Sequence, residues 1–372
     1  MGTLWVGTWS SDLYWTASMW VGGVTLSVTL LLLIVLFALK LLEQSRLRLD
    51  RRFDQVWHPL LVQAALGDTV PAQLPPLRPG DDWRLLKLWV RFQATLKGAS
   101  QERLRQLGWT LRCGQWARTW LDSPHRSEQI FGILCLGYLR DESAWEPLAA
   151  RMQDASNSVF IYAAWALLQL APDRAAPVVV DQLMRRRDLN VLQASTVLRP
   201  FRSCLDRELT PWLLQATSAQ ASGDKTAALV DVGWWLRLGW GLGMKPTDDL
   251  LCPWLQPDQP MDVIIGALRL LQGPGGLPAV RALVAHPDWQ VRTQVAVTLG
   301  RLGMPKDQEH LMQLLMDAQW WVRYRAAQAL ASTPFMSRHD LQARVAQLPD
   351  RYAREMAQQV FLEIPVLRSE EH

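Results

Sequence analysis

A sequence pattern recurs at a fixed period toward the C-terminal end of this chain and constrains its fold more than any other feature. The segments 288–300 (DWQVRTQVAVTLG) and 319–331 (QWWVRYRAAQALA) both contain Trp, then Val-Arg, then small residues and a Leu. The aligned pairs, one period apart, are Trp289 with Trp320, Val291 with Val322, Arg292 with Arg323, Ala296 with Ala327, and Leu299 with Leu330. A fixed period of this length with helical spacing predicts stacked helical units, an α-solenoid.

The same period extends beyond these two copies. Its Leu position is occupied by Leu136, Leu167 and Leu198 in an earlier series, and by Leu268 and Phe361 on either side of the clear copies. The stretch 199–260 breaks the period, and Pro and Gly separate the helical segments without strand-like alternation. We therefore predict an all-α protein with helical repeats over residues 127–363 and a tail at 364–372.

The repeat resembles the HEAT family in its short bacterial form. The resemblance is carried best by Asp288, Val291, Arg292, Ala296, Leu299 and Gly300, and next by Val322, Arg323, Ala326, Ala327 and Leu330. In that family the Arg after Val pairs with an Asp of the adjacent repeat. The resemblance thus implies that Asp288 pairs with Arg292, and that Asp317 pairs with Arg323 or Arg292. It also implies a scaffold that binds other proteins.

Tryptophan is unusually abundant, with 20 residues in a chain of 372. Trp289 and Trp320 hold equivalent positions, so a solenoid would line them up along one edge, with Trp321 beside them. Because Trp and Arg dominate protein-interface hot spots, we predict a partner-binding site at these three Trp and at Arg292 and Arg323. The alternative is that the Trp residues cover the turns between helices as part of the core.

Residues 21–39 form a run without charge, and Lys40 and several Arg follow it. A run of this length is what a membrane-crossing helix requires, and basic residues remain on the cytoplasmic side. These rules predict an outer segment at 1–15, one membrane helix at 16–42, and a cytoplasmic solenoid at a bacterial inner membrane. Gly23 and Ser27 would allow two such helices to approach, which makes a homo-oligomer an open alternative.

The stretch after this run is basic. We predict an amphipathic helix and a Pro-rich linker over 43–82, followed by a basic helical segment over 83–126. The side chains Arg84, Lys87, Arg91 and Lys97 are predicted to meet an anionic lipid surface. Trp residues interleave with these cations, a pattern also compatible with nucleic acid or with ordinary solvated helices. Because the predicted anchor disfavours nucleic acid, we predict none as a partner.

Residues that carry chemistry are scattered. The six His and four Cys show no metal-ligand spacing, and Gly239, Gly241 and Gly243 follow no strand that would make them a dinucleotide loop. We therefore predict no catalytic residues, no metal and no cofactor. An enzyme of the HEAT-like lyase or DNA glycosylase type remains an alternative, as does a lipid-surface-binding module.

Together these features predict a scaffold that is not an enzyme. We expect it to recruit or position a partner protein, for example a membrane protein or enzyme, at the cytoplasmic face of a membrane. By analogy with anchored HEAT proteins, the partner would belong to an envelope polysaccharide or glycosyltransferase assembly.

Overall fold

In the computed structural model, the described residues are 9–67, 74–78, 80–154, 156–186, 188–221, 225–335 and 337–363. Within some helices the side chains are also outside the description, at residues 9–18, 21–23, 27, 38–39, 41–50, 221 and 225–231. Every element in the described part is helical, and it contains no strand. The chain divides into two compact units, residues 1–120 and 121–372.

The first unit is built on one long helix. Its elements are α1 (Trp9–Leu66), α2 (Asp82–Thr95), α3 (Ala99–Thr110) and α4 (Cys113–Leu121). The C-terminal part of α1 packs on α2 and α3 through Phe53, Trp57 and Leu61, which recur every four residues on one face and are buried. Trp89 of α2 is fully buried, and its indole N–H donates to the Leu104 carbonyl of α3 at 2.8 Å.

The membrane helix predicted at 16–42 falls within α1, and part of it lies outside the described side chains. Across the described residues, no helix has both the length and the apolarity that a membrane crossing requires. On this finding the predicted localisation is wrong: a single-pass protein of the bacterial inner membrane, with its N-terminus out and its solenoid cytoplasmic. A homo-oligomer through that helix is unsupported for the same reason, and the predicted tail at 364–372 lies outside the described residues.

The second unit is a two-layered array of helices. In the described part, eight helices follow one another side by side in one layer: α5 (Arg126–Leu139), α7 (Asn157–Leu170), α9 (Val191–Leu198), α11 (Lys225–Leu242), α13 (Met261–Leu270), α15 (Trp289–Leu302), α17 (Trp320–Ser332) and α19 (Arg351–Glu363). The helices between them form the other layer: α6 (Trp145–Arg151), α8 (Pro172–Arg185), α10 (Arg202–Ala221), α12 (Asp248–Leu251), α14 (Leu277–Ala282), α16 (Gln308–Leu315) and α18 (Arg338–Ala346). The all-α repeat architecture predicted from the period is confirmed.

Short 3-10 turns join several of these helices, at Glu142–Ala144, Arg199–Phe201, Cys252–Trp254, Pro274–Gly276 and Pro305–Asp307. All but the first carry Pro at or next to their first residue, where the missing N–H costs no hydrogen bond. The layers therefore alternate through tight, proline-marked turns.

Small residues set the spacing between successive repeats. A Cβ atom placed on Gly300 of α15 would lie 2.6 Å from the Cβ of Ala329 in α17, closer than real contacts allow. The two helices are therefore in contact at this point because neither residue carries a larger side chain. Val291, Leu299, Val322 and Leu330 are buried around the contact and fill the seam between the repeats.

The stretch 199–260, which breaks the period, packs around large aromatic side chains. Trp235 of α11 is buried, and its indole N–H donates to the Leu209 carbonyl of α10 at 2.8 Å. Trp254 is also buried, and its indole N–H donates to the Thr217 hydroxyl at 3.2 Å. In this stretch two buried Trp side chains, each held by an indole hydrogen bond, form part of the core.

Candidate functional site

Exposed aromatic residues lie in the first turns of three helices that are neighbours in one layer, α15, α17 and α19. Trp289 begins α15, Trp320 and Trp321 begin α17, and Tyr352 is the second residue of α19. Their exposed fractions are 36%, 42%, 51% and 65%, high for aromatic side chains in a packed repeat. We call these four residues, together with Tyr324, the aromatic edge.

The aromatic side chains of α17 contact one another. The Trp320 ring lies parallel to the Tyr324 ring at a centroid distance of 5.1 Å, and the Trp321 ring meets Trp320 edge-on at 4.7 Å. The Tyr324 hydroxyl donates to Oε2 of Glu363 on α19 at 3.0 Å, and this hydrogen bond raises the pKa of Tyr324. The cluster is thus fixed to the neighbouring helix while Trp320 and Trp321 stay 42% and 51% exposed.

An arginine in each of the last three repeats ties its helix to the preceding turn. Nη1 of Arg292 donates to the carbonyls of residues 286 and 287, at 2.7 and 2.9 Å. Nη1 of Arg323 donates to the carbonyls of residues 317 and 318, at 2.8 and 3.0 Å. Arg354, one period further on, donates in the same way to the carbonyls of residues 348 and 349. The arginine at this repeat position therefore joins each helix to the turn that precedes it in the same repeat.

Arg292 also bridges two repeats. Its Nε donates to Oδ2 of Asp317 at 2.6 Å and its Nη2 donates to Oδ1 at 3.0 Å, with both side chains largely buried. Oδ1 of Asp317 also accepts the backbone N–H of Gln319 at 2.8 Å. Burial opposes ionisation of Asp317, but the hydrogen bonds from Arg292 and Gln319 outweigh it and lower its pKa. Asp288, the other predicted partner, instead accepts the N–H of Gln290 at 2.7 Å and caps α15.

The bridge is not repeated one step further on. Leu348 stands one period after Asp317, so the carboxylate that would meet Arg323 is missing. Among the described residues, Nε of Arg323 is accordingly buried without a hydrogen-bond partner, and its guanidinium lies 5.6 Å from the centre of the Tyr352 ring. An aromatic ring takes the place of the carboxylate at this junction.

A second buried ion pair joins the other layer. Nε and Nη2 of Arg281 in α14 donate to the two carboxylate oxygens of Asp307, at 2.5 and 3.0 Å. Oδ2 of Asp307 also accepts the backbone N–H of Met304 at 2.8 Å. Burial raises the pKa of the Asp307 carboxyl, yet these hydrogen bonds and the nearby cations bring it below its ordinary value.

The five predicted partner residues therefore separate into two groups. Trp289, Trp320 and Trp321 are exposed on the aromatic edge. Arg292 and Arg323 are engaged with carbonyls, and Arg292 also with Asp317, inside the repeats, where they position the helices that carry the Trp residues. The period would also have identified Tyr352, which is aligned with Trp321, and Arg354. Tyr324 has no such repeat signal, and it emerges only from the packing of α17.

The predicted membrane-surface residues lie in the first unit. Arg84, Lys87 and Arg91 share one side of α2 and line a small pocket of about 100 Å³ with Asp54 and Trp83. Arg84 pairs with Asp81 at 3.1 Å. Lys97 lies apart from them, in the turn between α2 and α3. Of the interleaved Trp residues, Trp89 is core and Trp109 is half exposed.

The described residues contain no group of three or more His, Cys, Asp or Glu that could hold a metal ion. Their four Cys residues are free thiols, and burial raises the pKa of Cys113 to about 12.

A helical repeat array with an exposed aromatic edge defines a class of protein, the repeat scaffold that presents a surface for protein interactions. A family model for HEAT repeats matches residues 249–331, which supports a HEAT-repeat family for the region containing α15 and α17. A search of curated proteins found no match to the chain.

Proposed function

We propose that this protein is a non-enzymatic scaffold that binds a partner protein along the aromatic edge. The observation that carries the proposal is the alignment of Trp289, Trp320 and Trp321 at the starts of neighbouring helices, with large exposed fractions. Trp is a preferred interface anchor because it buries a large area at little cost in side-chain entropy. A flat ring exposed at the same place in successive repeats suits a partner helix or extended segment running across them.

The arginine bridges support this role indirectly. Because Arg292 and Arg323 hold the turns that precede α15 and α17, they fix where the Trp side chains emerge. A binding surface held rigid before contact loses less conformational entropy on binding. We therefore assign the two arginines a positioning role, and the Trp residues the contact.

The test is affinity purification of the full chain from its native source, followed by quantitative mass spectrometry. The variant replaces Trp289 and Trp320 with Ala, and the matched control replaces Trp109, a similarly exposed Trp of the first unit. We expect a partner that is recovered with wild type and control, and that binds the double variant more weakly by about 30-fold or more in a direct titration. If the double variant binds the partner as tightly as wild type does, the proposal that the partner binds along the aromatic edge is wrong. A component of a glycosyltransferase assembly stays our predicted class of partner.

A second candidate function is binding of an anionic surface by the first unit. Its basis is the convergence of Arg84, Lys87 and Arg91 on one pocket. Sedimentation with vesicles of phosphatidylserine and phosphatidylcholine tests it, against vesicles of phosphatidylcholine alone. We expect the triple change to Glu to abolish sedimentation, and the same change at Arg185, Arg207 and Arg325 of the second unit to have little effect. Unchanged sedimentation of the first variant would contradict this function.

A further inference from the structure

A groove crosses three neighbouring helices of the second unit, and none of its described lining residues belongs to the aromatic edge. It is lined by α9, α11 and α13 and has a volume of about 320 Å³. Its most exposed apolar side chains are Leu192, Trp240 and Met261, one from each helix, with exposed fractions of 74%, 50% and 38%. One apolar contact point from each of three successive helices makes a continuous apolar surface.

The floor of the groove exists because the helices approach closely beneath it. A Cβ on Gly241 of α11 would lie 2.6 Å from the Ser195 side chain of α9. A Cβ on Gly266 of α13 would lie 2.8 Å from the Leu236 side chain of α11. The floor is therefore shallow and packed, and the apolar walls stand above it. Its volume is at the low end for small-molecule pockets, about 300–1,000 Å³, and suits a few anchoring side chains of a peptide.

The charges around the groove are not balanced. Arg237 and Asp262 pair with each other across α11 and α13 at 3.3 Å. Arg269 lies over the Trp240 ring at 5.0 Å, and its Nε donates to the Gln294 side chain at 3.3 Å. Arg199 donates to the Gly241 carbonyl at 3.0 Å. Within the described part of the chain, neither Arg269 nor Arg199 has a carboxylate partner. The groove therefore combines an apolar wall with one lining cation, Arg269, that remains available to an acid.

We propose that this groove is a second docking site, and that it binds an acidic amphipathic peptide segment of a partner protein. Leu, Met or Phe side chains of the segment would lie on Leu192, Trp240 and Met261, and an Asp or Glu would pair with Arg269. A guanidinium held against a ring presents its N–H fork to a carboxylate in a fixed orientation, which makes such a pair geometrically selective. The complementary charge at the rim distinguishes this segment from a purely apolar one.

The experiment is a selection of random linear peptides displayed on phage against the immobilised full chain, followed by affinity measurement of the enriched peptides. The groove variants are Leu192→Glu and Arg269→Glu. Their matched controls are Leu214→Glu, an exposed Leu of α10, and Arg325→Glu, an exposed Arg that also donates to a Gln side chain. Thermal unfolding by circular dichroism verifies that each variant is folded.

We expect enriched peptides that combine apolar residues with Asp or Glu. Their affinity should fall by about tenfold or more for either groove variant and change by about twofold or less for the controls. Replacing the acid of an enriched peptide with Lys should restore binding to Arg269→Glu. The proposal is overturned if no enriched peptide distinguishes wild type from the groove variants, or if the enriched peptides are basic. Substitutions at Trp289 and Trp320 should leave this binding unchanged, so this site and the aromatic edge are tested separately.

Discussion

Arg292 of one repeat holds Asp317 of the next through two parallel hydrogen bonds, and the same arginine closes its own turn through two carbonyls. One side chain thus sets both the internal geometry of a repeat and its junction with its neighbour. The role that recurs with the Val-Arg pair is closure of the turn, since Arg323 makes the same two carbonyl hydrogen bonds without the bridge.

Removing the carboxylate at this junction should destabilise the protein. Asp317→Ala leaves Arg292 largely buried without its partner, and we expect a loss of about 2–4 kcal/mol in the free energy of unfolding. Urea titration measures it. Asp173→Ala, which removes an exposed partner of Arg207, should cost less than about 1 kcal/mol. Similar costs for the two variants would show that the junction adds nothing beyond a surface pair.

Stability should fall in acid through Asp307 and Asp317. Both have pKa values below the ordinary Asp value of about 3.9, so their contribution is present above about pH 4 and lost as pH falls through the native pKa. In Asp317→Asn, the share of the acid-induced loss of stability that comes from Asp317 should disappear. The measurement is the urea unfolding free energy from about pH 7 to about pH 3. An identical slope in wild type and variant below about pH 4 would contradict the assignment.

A carboxylate can be introduced at position 348, where Leu stands at the repeat position of Asp317. Leu348→Asp places an acid at the position equivalent to Asp317, within the repeat that follows Arg323, whose Nε has no hydrogen-bond partner in the part of the chain that the structure describes. We expect the thermal midpoint to rise in the wild-type background and to stay level or fall in an Arg323→Met background. The difference between backgrounds should correspond to about 1–2 kcal/mol, as for a charge-assisted hydrogen bond. Equal shifts in both would mean that the new acid does not meet Arg323.

The contact of α15 with α17 should tolerate no added methyl group. Gly300→Ala should destabilise by about 1–3 kcal/mol, although Ala favours a helix over Gly, because its Cβ would overlap Ala329. The companion change Ala329→Gly should restore part of the loss by vacating that space. Urea titration of the two single variants and the double variant gives the coupling free energy between positions 300 and 329. Simple additivity of the two changes would exclude the proposed overlap.

The regular repeats could be predicted from the sequence because they follow the period, whereas the stretch 199–260 breaks it. Trp289, Trp320 and their arginines could be placed because each step of the period repeats one packing environment. The groove around Trp240 could not be predicted, since α9, α11 and α13 are brought together by Gly241 and Gly266 in and beside the irregular stretch. The pairing of Arg292 with Asp317 was one of two alternatives, and only side-chain geometry separated them.

The membrane prediction rested on the uncharged run at 21–39 and on the basic residues that follow it. That run is part of α1, which continues to Leu66 and packs its far end on α2 and α3. The basic side chains after it also proved heterogeneous: Arg103 donates to the carbonyl of Ala65 at the end of α1, whereas Lys87 and Arg91 are exposed. Charge counts cannot distinguish these roles.

The aromatic edge is tested most directly by photocrosslinking. Benzoylphenylalanine placed at Trp321, an exposed member of the edge, reacts only with what lies against it, and the same residue at Trp109 serves as the control. We expect a crosslinked partner protein from position 321 that position 109 does not yield, and that disappears when Trp289 and Trp320 are also replaced by Ala. Crosslinks of equal yield at both positions, or none at position 321 while the partner still co-purifies, would contradict it.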